Sequence, residues 1–317
     1  MPKKSPPKNS SAKKATAEGA KPGTANLKKN TKLKNVWQDD NGSELLRADQ
    51  LDYLQSLATE SVDCVWTDPP YFLSNGGSTC INGKRTSVNK GQWDESAGLE
   101  ADHEFNVSWL AECHRILKPT GTIWVSGTHH VYLSVGMAMM QLGFRLLNDI
   151  VWEKPNPPPN LGCRCFTHST ELLLWAAKSP KGAKEKYTFN YDDMKIANDG
   201  KQMKNVWRFT APAKTEKTLG KHPTQKPLAL IERCLLASTS AGDIVLDPFA
   251  GSGTTGVAAI NTDRRFLGCE IDVQHARLGA KRITEACNNI RDNASKAQER
   301  KPVTTGRGRA SRKQTSP

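Results

Sequence analysis

Hydrophobic positions in the middle of the chain follow two periods. Short apolar runs typical of buried strands occur at 61–66, 122–126, 146–152, 171–177, 243–247 and 265–270. Apolar residues spaced three or four positions apart predict helices at 103–117, 131–142, 225–237, 254–260 and 273–286, and 45–57 predicts a strand end followed by a short helix. Strands that alternate with helices at this spacing predict an α/β fold with a parallel sheet covered on both faces.

Two internal segments depart from this pattern. Residues 72–100 are polar and contain Gly76-Gly77, which predicts a long mobile loop. Residues 178–221 contain eleven basic and five acidic residues interleaved with five aromatic ones, which are Tyr187, Phe189, Tyr191, Trp207 and Phe209. This composition suits contact with nucleic acid, although burial of the aromatic side chains in a small core explains them equally well.

Most of the positive charge lies in the two ends of the chain. Of a net charge of +13, residues 1–35 carry +9 and residues 288–317 carry +6, which leaves the middle near −2. Both ends lack the apolar residues needed to offset the entropy of folding, so we expect disordered basic tails that hold nucleic-acid phosphates or simply aid solubility. We expect no export signal and no membrane span, and therefore a soluble, intracellular protein.

Several of the eight cysteines lie in apolar strand-like or helix-like contexts, as reduced core thiols do. Cys163, Cys165 and His168 form a short cluster of residues that can bind metal. A structural zinc site needs four ligands, and no fourth is nearby in the sequence. We therefore predict no metal site.

A glycine-rich segment at 251–256 follows a predicted strand, opens a predicted helix and matches G-x-G-x-x-G. That match alone also fits a dinucleotide oxidoreductase, whose helix N-terminus receives a pyrophosphate. Here Asp247 occupies the strand tip, where its negative charge would repel a pyrophosphate. It suits the ammonium and sulfonium groups of S-adenosylmethionine. Glu270 ends the next strand, 19 residues after Gly251, where an acid can accept both ribose hydroxyls.

Asp68-Pro69-Pro70-Tyr71 follows the predicted strand 61–66, and its two prolines make a stiff corner. An exocyclic aryl amine is a poor nucleophile because its lone pair is delocalised into the ring. Hydrogen bonds from its N–H groups to the Asp68 carboxylate and the Pro69 carbonyl favour a pyramidal nitrogen and stabilise the developing positive charge. Tyr71 offers a flat surface for a flipped base, and such stacking is worth about 1–3 kcal/mol.

The motifs together resemble those of the β-group DNA amino-methyltransferases. DPPY at 68–71 resembles their catalytic motif and DPFAGSG at 247–253 their cofactor motif, in the order that distinguishes this group from most methyltransferases of the same fold. HPTQKP at 222–227 is similar to the segment that packs around the methionine part of the cofactor. Ala48-Asp49 resembles a Gly-Asp pair of the family, and 90–94 (KGQWD) and 151–156 (VWEKPN) also resemble family segments.

The resemblance implies a Rossmann-like, S-adenosylmethionine-dependent methyltransferase fold with a mostly parallel seven-stranded sheet and a circularly permuted motif order. It divides the folded part into a catalytic half (36–177), a target-recognition insertion (178–221) and a cofactor-binding half (222–287). The implied catalytic residues are Asp68, Pro69, Pro70 and Tyr71. The implied cofactor-binding residues are Asp49, His222, Thr224, Lys226, Asp247, Pro248, Phe249, Gly251, Gly253, Thr254, Thr255 and Glu270.

The implied reaction is methyl transfer from S-adenosylmethionine to the N6 amine of adenine in double-stranded DNA, in a restriction-modification setting. A second copy of the chain and a companion restriction endonuclease are further expected partners. Cytosine N4 methylation is the nearest alternative, but Asp68 resembles the adenine-modifying members, whereas Ser is common at that position in cytosine N4 enzymes. An RNA or protein-glutamine methyltransferase usually carries Asn-Pro-Pro-Tyr after the cofactor loop. Here Asp-Pro-Pro-Tyr precedes that loop, so the sequence disfavours this alternative. A DNA-binding module without catalysis is disfavoured by the intact Asp68 and glycine loop.

Overall fold

The structure is a computed structural model that describes residues 33–74, 78–81, 84–87, 94–179, 182 and 186–299. Within these residues the main sheet has nine strands. Its strands are β1 (Lys34–Gln38), β2 (Glu44–Arg47), β3 (Val62–Thr67), β6 (Leu117–Gly127), β7 (Arg145–Glu153), β8 (Thr170–Ala177), β9 (Val206–Arg208), β10 (Ile244–Asp247) and β11 (Arg265–Glu270). Their order across the sheet is β1-β2-β11-β10-β3-β6-β8-β7-β9. A separate hairpin is formed by β4 (Ser78–Ile81) and β5 (Lys84–Ser87).

The helices fall into the gaps between the strands along the chain. They are α1 (Gln50–Ser56), α2 (Leu99–Ile116), α3 (His129–Gln141), α4 (Tyr191–Ile196), α5 (Leu228–Ser238), α6 (Thr254–Asn261) and α7 (Val273–Glu299). α1 begins where the Asp49 side chain accepts the backbone N–H of Leu51, as an N-cap residue does. None of the helices in the described ranges is both long and apolar enough to cross a membrane.

The sheet is parallel through its centre, from β2 through β11, β10 and β3 to β6. β8 and β7 then pair antiparallel, and β9 runs parallel to β7. The seven strands predicted from the sequence are present, but the predicted number is wrong because β1 and β9 extend the two edges. β9 is only three residues long, so its alternation is too short to detect in the sequence; burial of Trp207 fixes it in place.

Side chains from both faces of the central strands are buried, which is the property that distinguishes a covered parallel sheet. Val62 and Val65 of β3 pack on one face with α1, α2 and α3, and Cys64 and Trp66 pack on the other with α5, α6 and α7. On this second face Trp124 stacks on Trp175 with ring centroids 4.8 Å apart. The two cores hold the sheet rigid beneath the loops at its edge.

The carboxyl ends of the parallel strands meet at one edge of the sheet. Asp68 follows β3, Asp247 ends β10 and Glu270 ends β11, and these three strands are neighbours. Ligands of open parallel sheets bind at this edge. The topology therefore brings the two sequence motifs together although they are separated by more than half of the chain.

Two predicted boundaries need correction. α7 continues to Glu299, so residues 288–299 are helical and do not belong to a disordered tail. Its amphipathic first half is anchored by buried Ile283, and the Ala, Lys and Gln residues that follow propagate a helix readily. β1 begins at Lys34, inside the predicted N-terminal tail. The predictions for residues 1–32, 300–317 and most of 75–93 lie outside the described residues.

Candidate active site

One cavity at the carboxyl edge of the sheet is lined by both motifs. Thr67 at the end of β3 donates a hydrogen bond of 2.9 Å to Asp247 Oδ1 at the end of β10, which ties the two strand tips together. Every predicted site residue except Gly253 lines this cavity, namely Asp49, Asp68, Pro69, Pro70, Tyr71, His222, Thr224, Lys226, Asp247, Pro248, Phe249, Gly251, Thr254, Thr255 and Glu270.

Gly253 has a packing role below the cavity. Its φ is +72°, and a Cβ atom at this position would lie 2.8 Å from the Cα of Gly279 in α7. Only glycine lets the loop approach the helix this closely. Arg282, also on α7, donates to the Ser252 carbonyl at 2.7 Å and to Thr254 Oγ1 at 2.9 Å. The glycine loop is thus fixed from beneath by α7.

Asp247 is buried and holds the start of the same loop. Its Oδ1 accepts from Thr67 and from the Phe249 N–H, and its Oδ2 accepts from the Thr255 hydroxyl at 2.6 Å. Burial raises the pKa of Asp247 to about 7, although these three hydrogen bonds oppose the shift. A cationic group entering the cavity would favour the ionised form.

Glu270 and Asp49 organise the other wall of the cavity through backbone hydrogen bonds. Glu270 Oε2 accepts from Gly251 N at 2.8 Å, and its Oε1 accepts from Asp272 N at 2.8 Å. Burial raises the pKa of Glu270 above its ordinary value, against these two hydrogen bonds. Asp49 Oδ1 caps α1. Carboxylate oxygens have further lone pairs, so both residues are able to accept hydroxyl groups of a bound ligand.

Aromatic rings form the apolar side of the cavity. Phe249 packs edge-on against Trp109 of α2, with ring centroids 5.5 Å apart, and lies 6.1 Å from Phe105. His222 packs over Gly251 and makes an edge-to-face contact with His275 of α7 at 4.2 Å. A planar or apolar part of a ligand fits between these walls and the glycine loop.

Asp68 is held from two sides. The Tyr71 hydroxyl donates to Asp68 Oδ1 at 2.5 Å and lies 3.1 Å from Ser126 Oγ, and the Lys226 ammonium donates to Asp68 Oδ2 at 2.5 Å. Burial, followed by the nearby charge of Asp68, raises the pKa of Tyr71 well above its ordinary value, so this phenol is a donor at all physiological pH. The Tyr71 ring is only 5% exposed, so the predicted stacking on a base would use the part that faces the cavity.

Asp94 fixes the backbone of the segment that begins at Tyr71. Its buried carboxylate accepts the backbone N–H groups of Tyr71, Phe72 and Leu73 and the hydroxyl of Ser74. Phe72 adopts a φ of +57°, a conformation that costs energy for a residue other than glycine. The Asp94 carboxylate compensates for this cost by gathering the N–H groups at one point.

Lys226 connects the corner to a second pair of charges. Its ammonium lies 3.6 Å from Glu171 Oε2, and Glu171 Oε1 also accepts a hydrogen bond from Lys154. Lys226 is buried, and Glu171 lies at the start of β8 beside the end of β6. Two lysines and two carboxylates therefore alternate from Asp68 to Lys154 along the edge of the sheet.

The sequence reasoning missed several residues that shape this site. Thr67, Asp94, Glu171 and Arg282 each make the contacts given above, yet none of them lies in a recognised catalytic or cofactor motif. Asp94 lies in the KGQWD segment that resembles the family, which is the one signal that could have drawn attention to it. The other three are identified by distances between elements that are remote in sequence.

Cys163, Cys165 and His168, for which no metal site is predicted, do not line the cavity. His129 stacks on His168 with ring centroids 4.8 Å apart, and Cys163 and Cys165 are exposed. Within the described part of the chain no three His, Cys, Asp or Glu residues are arranged to hold a metal ion.

Sequence comparison relates the chain to DNA methylases. The sequence model of the family described as DNA methylase matches residues 62–281. The chain is 52% identical to the Type II methyltransferase M2.DpnII of Streptococcus pneumoniae over 239 residues, which are 75% of this chain and 88% of the relative. It is 45% identical to the Type II methyltransferase M2.MboI of Moraxella bovis over 247 residues, 78% of this chain and 89% of the relative.

Solved structures show the same fold. The complex of M1.HpyAVI with SAM aligns with a TM-score of 0.55 and 30% identity, over 75% of this chain and 98% of that one. The cytosine-N4-specific PvuII DNA methyltransferase aligns with a TM-score of 0.60 and 21% identity, over 78% and 92% of the two chains, and supports the fold alone. The Rossmann-like methyltransferase fold predicted from the sequence is confirmed.

Proposed function

Because the chain belongs to the DNA methylase family of N6 and N4 methyltransferases, we propose that it transfers a methyl group from S-adenosylmethionine to the N6 amine of adenine in double-stranded DNA. The observation that carries the proposal is the single cavity lined by Asp68 and the glycine loop after Asp247. A substrate amine held at Asp68 and a cofactor held at the loop meet inside it.

The residues of the cavity fit S-adenosylmethionine. Glu270 provides acceptors for ribose hydroxyls, Phe249 an apolar face, and Asp247 a negative charge within the loop for a cationic ligand. When bound, this cofactor supplies an electrophilic methyl group on a sulfonium. The relative M1.HpyAVI was solved as a complex with SAM, and a Thermus thermophilus modification methylase that is 25% identical was solved with S-adenosyl-L-methionine.

The residues of the chain orient the amine. Asp68, fixed by Tyr71 and Lys226, accepts one N–H of the amine, and the Pro69 carbonyl accepts the other. No described residue donates a hydrogen bond to that carbonyl. These acceptors hold the nitrogen lone pair toward the glycine loop and stabilise the positive charge that grows on nitrogen. Preorganised groups of this kind commonly contribute a hundredfold or more, about 2.7–4 kcal/mol, to catalysis.

Cytosine N4 methylation is the second candidate, because the same fold carries it in the PvuII enzyme. The aspartate at position 68 favours adenine. The discriminating experiment incubates the protein with methyl-labelled S-adenosylmethionine and duplex DNA and then digests the DNA to nucleosides. We expect the label in N6-methyl-2′-deoxyadenosine. Label in N4-methyl-2′-deoxycytidine would overturn the adenine proposal, and a duplex that stays unlabelled would overturn methyl transfer to DNA.

Asp68→Ala tests the role of the corner in the same assay. We expect transfer to fall by at least a hundredfold while calorimetric binding of S-adenosylmethionine changes less than about threefold, because Asp68 acts on the amine. Glu95→Gln, an exposed carboxylate near the site in sequence, is the control that should keep full activity.

The setting of this activity is part of the proposal. We place it in the bacterial cytoplasm, on DNA that a companion restriction endonuclease would otherwise cut, in line with the Type II relatives. A homodimer is also proposed. Leu133, Met137 and Met140 expose an apolar face along α3 that would suit self-association. Light scattering coupled to gel filtration measures the mass, and a monomer at micromolar concentration would remove this part of the proposal.

A further inference from the structure

We propose that Lys226 is a positioning residue for the catalytic carboxylate of Asp68, and that Glu171 holds Lys226 in that position, so that Lys226 does not bind the cofactor. The inference rests on the methyltransferase function proposed above. It departs from the role that the HPTQKP segment suggests, which is contact with the methionine part of S-adenosylmethionine. The geometry favours the positioning role, because the Lys226 ammonium donates a hydrogen bond to the carboxylate of Asp68.

The Lys226 ammonium contacts Asp68 and polar atoms beside it. The ammonium donates to Asp68 Oδ2 at 2.5 Å and to the Thr224 carbonyl at 3.4 Å, and it lies 3.6 Å from Glu171 Oε2. It also lies 5.2 Å from the centre of the Tyr71 ring. Of the three N–H donors of the ammonium, two therefore make hydrogen bonds to Asp68 and Thr224, and the charge also forms an ion pair with Glu171.

Burial makes the arrangement specific. The Lys226 side chain is 6% exposed, and those of its two carboxylate partners are 13% and 14% exposed. Burial alone would lower the pKa of Lys226, but Asp68 and Glu171 raise it above its ordinary value, so the side chain stays charged. A charge in such a place is costly unless it is paired and hydrogen-bonded. Glu171 is the partner that lets Lys226 stay charged while Asp68 serves the substrate.

The alternation of charges keeps the site close to neutral. Asp68 and Glu171 are balanced by Lys226 and by Lys154, which pairs with Glu171. A lone cation beside Asp68 would oppose the positive charge that grows on the substrate amine. In the neutral cluster Lys226 fixes the plane of the Asp68 carboxylate, and the negative charge of Glu171 offsets the unfavourable effect of the Lys226 charge on the transition state. Tyr71 fixes the other oxygen of Asp68.

The role predicts a separation of kcat from cofactor affinity. Lys226→Gln should lower kcat about a hundredfold, the effect of losing one preorganised group, while the calorimetric Kd for S-adenosylmethionine changes less than about threefold. Lys226→Arg, which keeps the charge, should recover part of the rate. Lys281→Gln removes an exposed lysine of α7 and is the matched control.

The result that overturns the inference is a Kd for S-adenosylmethionine raised tenfold or more in Lys226→Gln, which would make Lys226 a cofactor ligand. A normal kcat in Lys226→Gln would overturn it equally. If Lys226→Gln does not fold, as judged by circular dichroism and thermal melting, Glu171→Gln is the second variant, with the same lower kcat and unchanged Kd expected. Wild-type protein that methylates no DNA would overturn the proposed function instead, so the two failures are distinguishable.

Discussion

The carboxyl group of Asp247 is buried. The Thr67, Thr255 and Phe249 hydrogen bonds stabilise its ionised form, yet burial raises its pKa to about 7. The loop therefore rests at the boundary between a neutral and a negatively charged state near neutral pH. A cationic ligand resolves that balance in favour of the carboxylate, because opposite charges at short distance lower the pKa of an acid.

The affinity for S-adenosylmethionine should consequently depend on pH through Asp247. Below pH 7 the residue is increasingly protonated, so we expect the Kd to rise by up to about tenfold for each pH unit lost, measured by calorimetry. Asp247→Asn should bind S-adenosylmethionine more weakly, and its Kd should vary less with pH because residue 247 no longer titrates. Equal pH dependence in the two proteins would contradict the assignment of the titration to this residue.

The raised pKa also has a consequence for stability without ligand. The folded-state pKa lies above the unfolded value of 3.8, so the contribution of Asp247 is fully present below pH 4 and is lost as the pH rises through about 7. Urea unfolding of the ligand-free protein should show this loss relative to Asp247→Asn. If the difference between the two proteins stayed constant over that range, Asp247 would not titrate inside the fold.

Among the elements, the segment after β3 depends most on one distant side chain. Asp94 gathers three backbone N–H groups and one hydroxyl around its carboxylate and so shapes residues 71–74. The positive φ of Phe72 shows that this turn is not an intrinsic preference of its residues. The element is stable because a buried acceptor meets all of these donors at once.

Asp94→Asn should loosen this turn. The amide replaces one acceptor oxygen with an NH2 group that faces N–H donors, so we expect a loss of about 1–3 kcal/mol in the free energy of unfolding. Urea denaturation measures the loss, and kcat should fall with it because Tyr71 and Asp68 share the corner. Glu95→Gln is the control. A variant with unchanged stability and rate would show that the turn is held by other contacts.

The connection between β7 and β8 is an element with a second consequence for function. It leaves the sheet at the edge formed by the carboxyl ends of the parallel strands. It is closed by a 2.8 Å hydrogen bond from Lys154 N to Ser169 O and carries no acidic residue. Phe166 on it is 95% exposed, so its ring is free to contact a ligand bound at this edge. Arg164 is exposed on the same loop.

Phe166→Ala should reduce methylation of duplex DNA by about tenfold, the effect of removing a stacking interaction worth about 1–3 kcal/mol. Methylation of a single-stranded oligonucleotide should change much less, because no paired base has to be flipped there. Leu99→Ala, which truncates another exposed apolar side chain, is the control. Equal losses on the two substrates would show that Phe166 does not assist base flipping.

At the scale of the whole molecule, the charge is divided unequally. Residues 1–32 and 300–317 together carry +14, so the remaining chain carries −1. The remaining residues have no net positive charge, so they gain little long-range attraction to DNA. We therefore expect residues 1–32 and 300–317 to be the main source of the salt-dependent, sequence-independent part of DNA affinity.

Removal of residues 1–32 and 300–317 should therefore weaken DNA binding and flatten its dependence on salt. The slope of log K against log salt should fall by about 0.9 for each phosphate that the shortened protein no longer neutralises. Fluorescence anisotropy over a salt series measures the slope, and sequencing of methylated DNA reports the target. A changed target sequence in the truncated protein would contradict the purely electrostatic role of the tails.

The sequence by itself determined the fold class, the order of the elements and the two motifs, because these depend on local periodicity and on residue types with special backbone or chemical properties. Proline restricts the backbone at 69–70, and glycine widens the conformations open to the loop at 251–256, whatever surrounds them. Only the tertiary structure decided that Lys226 meets Asp68, that Asp94 holds the corner, and that β1 and β9 complete the sheet. Those outcomes depend on distances between residues far apart along the chain, and no local pattern encodes such a distance.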